Sequence, residues 1–231
     1  MTERGQTIMI CWGLIFMYIY GFALWGLLGM MPPPPATLDA NAVAAFYAEH
    51  GFKIRLGAVV TSWTSAFMVP FSVVVAIQLA RLEKGVPIWS ILQFAGGILM
   101  SIFLVLPPMF WGIAAFTTTR PPEVTALMHE IGMLTLVTTD QFFIFQMVAI
   151  AVISLTQKID AHSPFPRWMG YFTIWAALMF EVGAIAFLPK SGPFSWNGIF
   201  VFWCPLIIFG TWVTVMSISM LLALRRQAAA R

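Results

Sequence analysis

The sequence has few charged residues, few histidines and few cysteines for its length. Only 9% of its 231 residues are charged, whereas 60% are hydrophobic, and an average soluble domain is about 25% charged. This composition excludes an ordinary soluble domain and indicates an integral membrane protein. The net charge of +3 calls for no nucleic acid, because basic residues at a membrane surface face anionic lipid.

The scarce cysteines and histidines carry no recognised chemistry. Cys11 and Cys204 fall in different predicted spans and at different depths, so we expect no disulfide. No phosphate loop, nucleophile elbow, dinucleotide fingerprint or H-E-x-x-H motif is present. His50 and His129 are expected at the outer surface without ligand spacing, and no histidine is expected inside a span, so neither a metal, haem nor another cofactor is predicted.

Long uncharged runs predict six membrane-spanning helices. A helix needs about 20 apolar residues to cross about 30 Å of hydrocarbon. The predicted fold is an all-α polytopic bundle, a single domain over residues 1–231, with spans near 7–31, 56–80, 88–116, 132–155, 167–188 and 197–224. The first run is longer than the apolar core of a signal peptide, about 7–15 residues, so we expect it to stay attached.

Basic residues predict that both termini are cytoplasmic. With this orientation eight Lys or Arg residues lie on the inner side and four on the outer side, as the positive-inside rule requires. The inner set is Arg4, Arg81, Lys84, Lys158, Arg167, Arg225, Arg226 and Arg231, and the outer set is Lys53, Arg55, Arg120 and Lys190.

The segment after the first span predicts a short amphipathic helix on the outer surface. Prolines at 32–35 end the span, Asp39 suits an N-cap, and Gly51 suits a C-terminal stop. Two interpretations stay open: the helix binds lipid or the bundle mouth, or it only packs the loop down. The face that would be used carries Val43, Phe46, Tyr47 and His50.

Two carboxylates fall inside predicted spans, Asp140 in the fourth and Glu181 in the fifth. An ionised acid at the bilayer centre costs about 2.5–3.5 kcal/mol on insertion scales. At about 1.5 Å per residue, both lie about 10–12 Å below the outer edge. We expect them to be buried neighbours, of which at least one holds a proton. His129 shares a helix face with Asp140.

Other polar residues are predicted near the same depth, which favours a cavity that opens outward. Two alternatives stay open. In the first, the span hydroxyls bond to their own helix or to a neighbouring helix, as they usually do. In the second, each acid is protonated and bonds to a nearby amide or hydroxyl. The candidate ligand-binding or proton-relay residues are Asp140, Glu181, Gln141, Thr61, Ser62, Thr64, Ser65, Tyr20 and His129.

Three stretches carry a resemblance. ANAVAAFYAEHGFKIRLGA after the proline run, ARLEKG at the end of the second span, and FPRWMGYFTIWAAL leading into the fifth resemble uncharacterised six-span bacterial membrane proteins of unknown function. The resemblance implies six helices and a bacterial inner membrane. It implies no site residues.

The leading hypothesis is that the protein holds a small lipophilic or amphipathic molecule in an outward-facing pocket. Asp140 and Glu181 would carry protons or hydrogen bonds during transport or sensing. One alternative is a membrane enzyme, such as a proton-transfer isomerase or hydratase acting on a terpenoid or sterol-like substrate. Another is an accessory subunit of a larger complex. The expected partners are lipid, the ligand, and a partner protein or second copy.

Overall fold

The computed structural model of the protein describes residues 3–139, 141–158, 160 and 163–230. It is all-helical, with 80% helix and no strand in these residues. Three irregular segments extend the helices: 3₁₀ turns at Ser65–Phe67 and Glu181–Phe187, and a π-helical turn at Ile199–Trp203. The α-helices are α1 Glu3–Gly26, α2 Ala40–Thr64, α3 Met68–Ala80, α4 Ile88–Phe116, α5 Pro122–Thr138, α6 Gln141–Thr156, α7 Arg167–Phe180 and α8 Cys204–Ala229.

Six helices of the described chain are long and apolar enough to cross a membrane. This confirms the predicted all-helical class and number of spans, and it indicates a multi-pass membrane protein. The third span has the predicted bounds, and the fifth differs only at its end. The second, fourth and sixth are longer than predicted, and the first ends at Gly26 instead of residue 31. The six are Glu3–Gly26, Ala40–Ala80, Ile88–Phe116, Pro122–Thr156, Arg167–Phe187 and Ile199–Ala229.

The prediction of a separate surface helix after the first span is wrong. Asp39 does cap the helix, since its Oδ1 accepts a hydrogen bond from the Ala42 amide at 2.9 Å. The helix then continues through Gly51 as far as Ala80. Gly51 is buried inside this helix and does not end it.

The fourth span begins ten residues before the predicted boundary. α5 starts at Pro122 with Glu123 in its first turn, as the sequence signal predicts. Gly132 lies inside α5, where a Cβ would fall 2.3 Å from Trp111 Nε1. Its role is therefore to admit the buried Trp111 ring of α4, and the irregular stretch comes only after Thr138, where α5 ends.

α4 is the central helix of the bundle, and it packs against α2, α3, α5 and α6. Hydrogen-bonded side chains mark the two ends of the bundle. We call one the glutamine end, after Gln6, Gln78 and Gln227. We call the other the histidine end, after His129 and its partner Tyr47.

Candidate functional site

A cavity of about 740 Å³ extends from the middle of the bundle toward the histidine end. Small-molecule sites are usually about 300–1,000 Å³ in volume, so it is large enough for a ligand. Its walls come mainly from α1, α4, α5, α8 and the irregular turn before α8, with Met31, Phe67 and Phe180 contributed from outside these elements. The lining residues are Met17, Tyr18, Ile19, Tyr20, Gly21, Phe22, Leu24, Trp25, Met31, Phe67, Met100, Phe103, Leu104, Leu136, Val137, Phe180, Val201, Phe202, Pro205, Leu206, Phe209 and Gly210.

The α1 wall of the cavity runs from the bundle interior out to the surface. Tyr20 and Leu24 are buried, whereas Phe22 and Trp25, on the neighbouring face, are 61% and 58% exposed. All four line the cavity. A cavity lined by both faces of one helix opens sideways beside that helix, so this one opens between α1 and α8, toward the surface where lipid chains would lie.

Two glycines widen the gap between α1 and α8. Gly21 on α1 and Gly210 on α8 both line the cavity, and a Cβ at either position would meet nothing within 4 Å. A larger residue at either position would project into free space. The lack of a side chain at these two positions therefore adds to the volume of the cavity and is not required for helix packing.

Tyr20 supplies the principal buried polar contact at the cavity wall. Its hydroxyl donates to the Leu104 carbonyl oxygen at 2.6 Å, and its ring is only 4% exposed. Pro108 lies four residues after Leu104 and has no N–H, so the helix itself cannot supply this bond. A side chain of α1 thus replaces the hydrogen bond that a proline removes from α4.

The polarity of the lining restricts what the cavity can hold. Among the described residues that line it, none is charged. The phenol of Tyr18 already bonds Thr214 Oγ1 at 2.9 Å, and that of Tyr20 bonds Leu104. Burying a charge without a partner is costly, so the geometry suits a neutral, mainly apolar molecule.

Of the two predicted acids, Glu181 does not line this cavity. Asp140 lies outside the described residues, so its pairing with Glu181 stays a prediction. The expected burial of Glu181 is wrong, because its side chain is exposed. Phe180, the residue before it, ends the buried face of α7, and one residue turns a helix by about 100°. Glu181 lies instead at a shallow cavity of about 220 Å³ between α6 and α7.

The predicted hydroxyl cluster of α2 bonds to its own helix. Thr61 Oγ1 donates to the Gly57 carbonyl at 2.7 Å, and Thr64 Oγ1 donates to the Val60 carbonyl at 2.9 Å. Ser65 Oγ likewise reaches the Ser62 carbonyl at 3.3 Å. This agrees with the structural interpretation of these hydroxyls. The side chains of Ser62 and Gln141 are exposed, and none of this group lines the cavity of 740 Å³.

His129 is buried, which contradicts its expected place at the surface. It is 1% exposed, and its Nδ1 lies 3.0 Å from Tyr47 Oη. The Trp196 ring contacts it at 5.8 Å between centroids, and Trp196 Nε1 donates to the Pro34 carbonyl at 2.8 Å. α5 turns this face toward α2, so a histidine does lie within one of the helices long and apolar enough to span a membrane. Within the described ranges, no three metal-ligating side chains meet.

Sequence reasoning found one residue of the cavity, Tyr20, and missed the rest. Apart from Tyr18, the missed lining residues are apolar residues and two glycines, which in sequence resemble any lipid-facing surface. One signal was available: prolines at 107 and 108 free carbonyls on α4, and the freed carbonyl of Leu104 is the one that Tyr20 binds.

Fold and site together define a multi-pass, all-helical protein with an apolar cavity beside its first and last helices. Comparisons with protein-family models, with curated proteins and with solved structures found no match to the chain.

Proposed function

We propose that the protein binds a neutral lipophilic molecule in the cavity of 740 Å³, and that this molecule enters from the bilayer between α1 and α8. The observation that carries the proposal is the cavity itself, with its volume and its uncharged lining. The lateral opening beside Phe22 and Trp25 supports entry from lipid. Apolar cavities stay dry and accept apolar guests, so a lipid-facing one is filled from the membrane.

The ligand would lie with its polar part near Tyr20, at the inner wall of the cavity. The phenol oxygen can still accept a hydrogen bond while it donates to Leu104. A mainly apolar ligand with one hydroxyl or similar donor would match this arrangement. The proposed binding site is thus built around the Tyr20 phenol instead of two acids. Transport and sensing are the two roles that ligand binding would serve.

The proposed orientation follows the basic residues. With the glutamine end cytoplasmic, the positive-inside rule is satisfied by eight residues against four, and the cavity lies in the outer half of the membrane. The resemblance of the sequence to six-span bacterial proteins supports a bacterial inner membrane.

The proposal is tested by filling the cavity from its two glycines. Gly21→Leu and Gly210→Leu should remove a co-purified neutral lipid or an added lipophilic probe without disturbing packing, because neither new side chain meets a neighbour at Cβ. Ala95→Leu, on the exposed face of α4, is the matched control. Bound molecules are measured by native mass spectrometry after mild detergent extraction.

Loss of the bound molecule in both filled variants, with retention in the control, supports the proposal. Equal occupancy in wild type and filled variants, or a wild-type protein that binds no neutral lipophile in bilayers, overturns it.

A further inference from the structure

Buried polar residues follow one face of α4, the central helix. Ser90, Gln93, Gly97 and Ser101 are spaced three or four residues apart, so they share a face of the helix. The three polar side chains among them are at most 8% exposed. Leu104, whose carbonyl is bonded by Tyr20 at the cavity, continues the same face. The row therefore leads from the start of α4 to the inner wall of the cavity.

Several polar atoms along this row have no protein partner. Gln93 is fully buried, and neither its Oε1 nor its Nε2 meets a hydrogen-bonding group among the described residues. The same holds for Ser101 Oγ and for Gln146 Oε1, from the neighbouring α6. Burying such groups without partners costs several kcal/mol in an apolar medium. A single unsatisfied atom would be an exception, whereas unsatisfied atoms on three side chains, Gln93, Ser101 and Gln146, call for a common explanation.

Gly97 brings side chains from two other helices to the row. A Cβ at this position would fall 1.9 Å from Ser72 Oγ of α3 and 3.0 Å from Gln146 Oε1 of α6. Gln146 Nε2 itself donates to Ser72 Oγ at 3.4 Å. The absence of a side chain at 97 therefore lets a hydroxyl and an amide approach the α4 backbone beside the orphaned Gln93.

We propose that ordered water molecules bind along this face of α4, where they satisfy Gln93, Gln146 and Ser101. Positions three or four residues apart are separated by about 4.5–6 Å along the helix axis. One water molecule that makes two hydrogen bonds of about 2.8 Å spans about the same distance. Buried waters typically make about three bonds to groups that lack other partners, and each gap in the row offers amide or hydroxyl groups for this.

The row has a polar group at each end. At the glutamine end, the carboxylate of Glu83 accepts hydrogen bonds from the Trp89 amide at 3.1 Å and the Ser90 amide at 2.9 Å. It also accepts one from the Ser90 hydroxyl. At the other end, Leu104 holds the phenol of Tyr20. Water molecules between them would join these two end groups through hydrogen bonds along the face of α4.

The test is water-to-protein polarisation transfer by solid-state NMR, on protein labelled with ¹⁵N at glutamine and tryptophan side chains, in bilayers. The Trp212 indole, which is fully buried and donates to Thr173 Oγ1 at 3.0 Å, is the dry reference. Gln157, near the end of α6 and partly exposed, is the wet reference. We expect the polarisation transferred from water to build up on the Gln93 and Gln146 side-chain amides about as fast as on that of Gln157.

A variant identifies the source of the signal. Gln93→Met keeps the side-chain length but removes two polar atoms that would bind the water. The polarisation transferred from water to the Gln146 amide should therefore build up severalfold more slowly. Gln141→Met, at an exposed position on the same helix as Gln146, should leave the Gln146 signal unchanged. Build-up of Gln93 and Gln146 as slow as that of Trp212, in the wild-type protein, overturns the proposal, as does a Gln146 signal that Gln93→Met leaves unchanged.

Discussion

The two ends of the α1–α8 pair differ in how the helices are joined. At the glutamine end, Gln78 of α3 donates from Nε2 to Gln6 Oε1 at 2.7 Å, and Gln227 Nε2 donates to Gln78 Oε1 at 3.0 Å. Arg81 donates to Gln227 as well. Toward the histidine end, the helices flank an apolar cavity. Amide networks thus fix one end, while glycines and large apolar side chains leave the other open.

This contrast gives the two ends different expected roles. Glutamine amides both donate and accept, so three of them can satisfy each other away from water and hold three helices in one arrangement. Contacts between apolar side chains and lipid are no weaker than those between helices, so the cavity end has little reason to close. Under the proposed function, a lipophilic molecule would enter at the cavity end while the opposite end stays joined.

The largest effect is expected when the network at the glutamine end loses its hub. Gln78→Met preserves size but leaves Gln6 and Gln227 without their shared partner, which should lower the free energy of unfolding by about 2–4 kcal/mol. Denaturant titration in lipid–detergent bicelles measures this, with the exposed Gln141→Met as control. A loss no greater than that of the control would contradict the structural role of the network.

A smaller effect is expected at the cavity wall. Tyr20→Phe removes the donor to the Leu104 carbonyl, which Pro108 has left without its helical partner, and should cost about 1–3 kcal/mol. Tyr171→Phe, at a tyrosine that is 66% exposed, is the matched control, measured by the same titration. If Tyr20→Phe proves neutral, another donor reaches that carbonyl and the phenol is not what stabilises α4 there.

The smallest effect is expected between the two regions, where Tyr18 Oη lies 2.9 Å from Thr214 Oγ1. Both groups are near the surface, and Thr214 keeps its own bond to the Gly210 carbonyl at 2.6 Å. Interhelical hydrogen bonds in membranes average about 0.6 kcal/mol. A double-mutant cycle of Tyr18→Phe and Thr214→Val should give a coupling energy of this size. A coupling energy as large as the loss of stability expected for Gln78→Met would mean that α1 and α8 are also firmly joined at the boundary between the two ends.

The six spans were predictable because a helix that crosses a membrane must have a minimum length and an apolar composition. Both properties can be recognised in one continuous stretch of sequence. The Asp39 cap and the Pro122 helix start were equally local, since each depends on residues within one turn. Gly51 shows the limit of local signals. A glycine can end a helix or lie inside a longer one, and only the structure, in which the helix continues to Ala80, distinguishes the two.

The candidate site shows the same division. Tyr20 could be nominated from sequence because a tyrosine inside a span needs a partner, yet its partner lies 84 residues away on α4. Glu181 was misplaced because burial depends on which face of α7 turns inward, and an irregular turn begins at that residue. His129 was misplaced for the opposite reason, since α5 begins earlier than its apolar run and carries the histidine into the bundle.

The sequence by itself determined that this is an all-helical protein with six helices suited to a membrane, because hydrophobic length and local capping are properties of contiguous residues. Only the tertiary structure decided where the space and the polar contacts lie. The cavity, the glutamine network and the unsatisfied polar groups of α4 and α6 each depend on helices distant in the chain, and on how those helices rotate and pack.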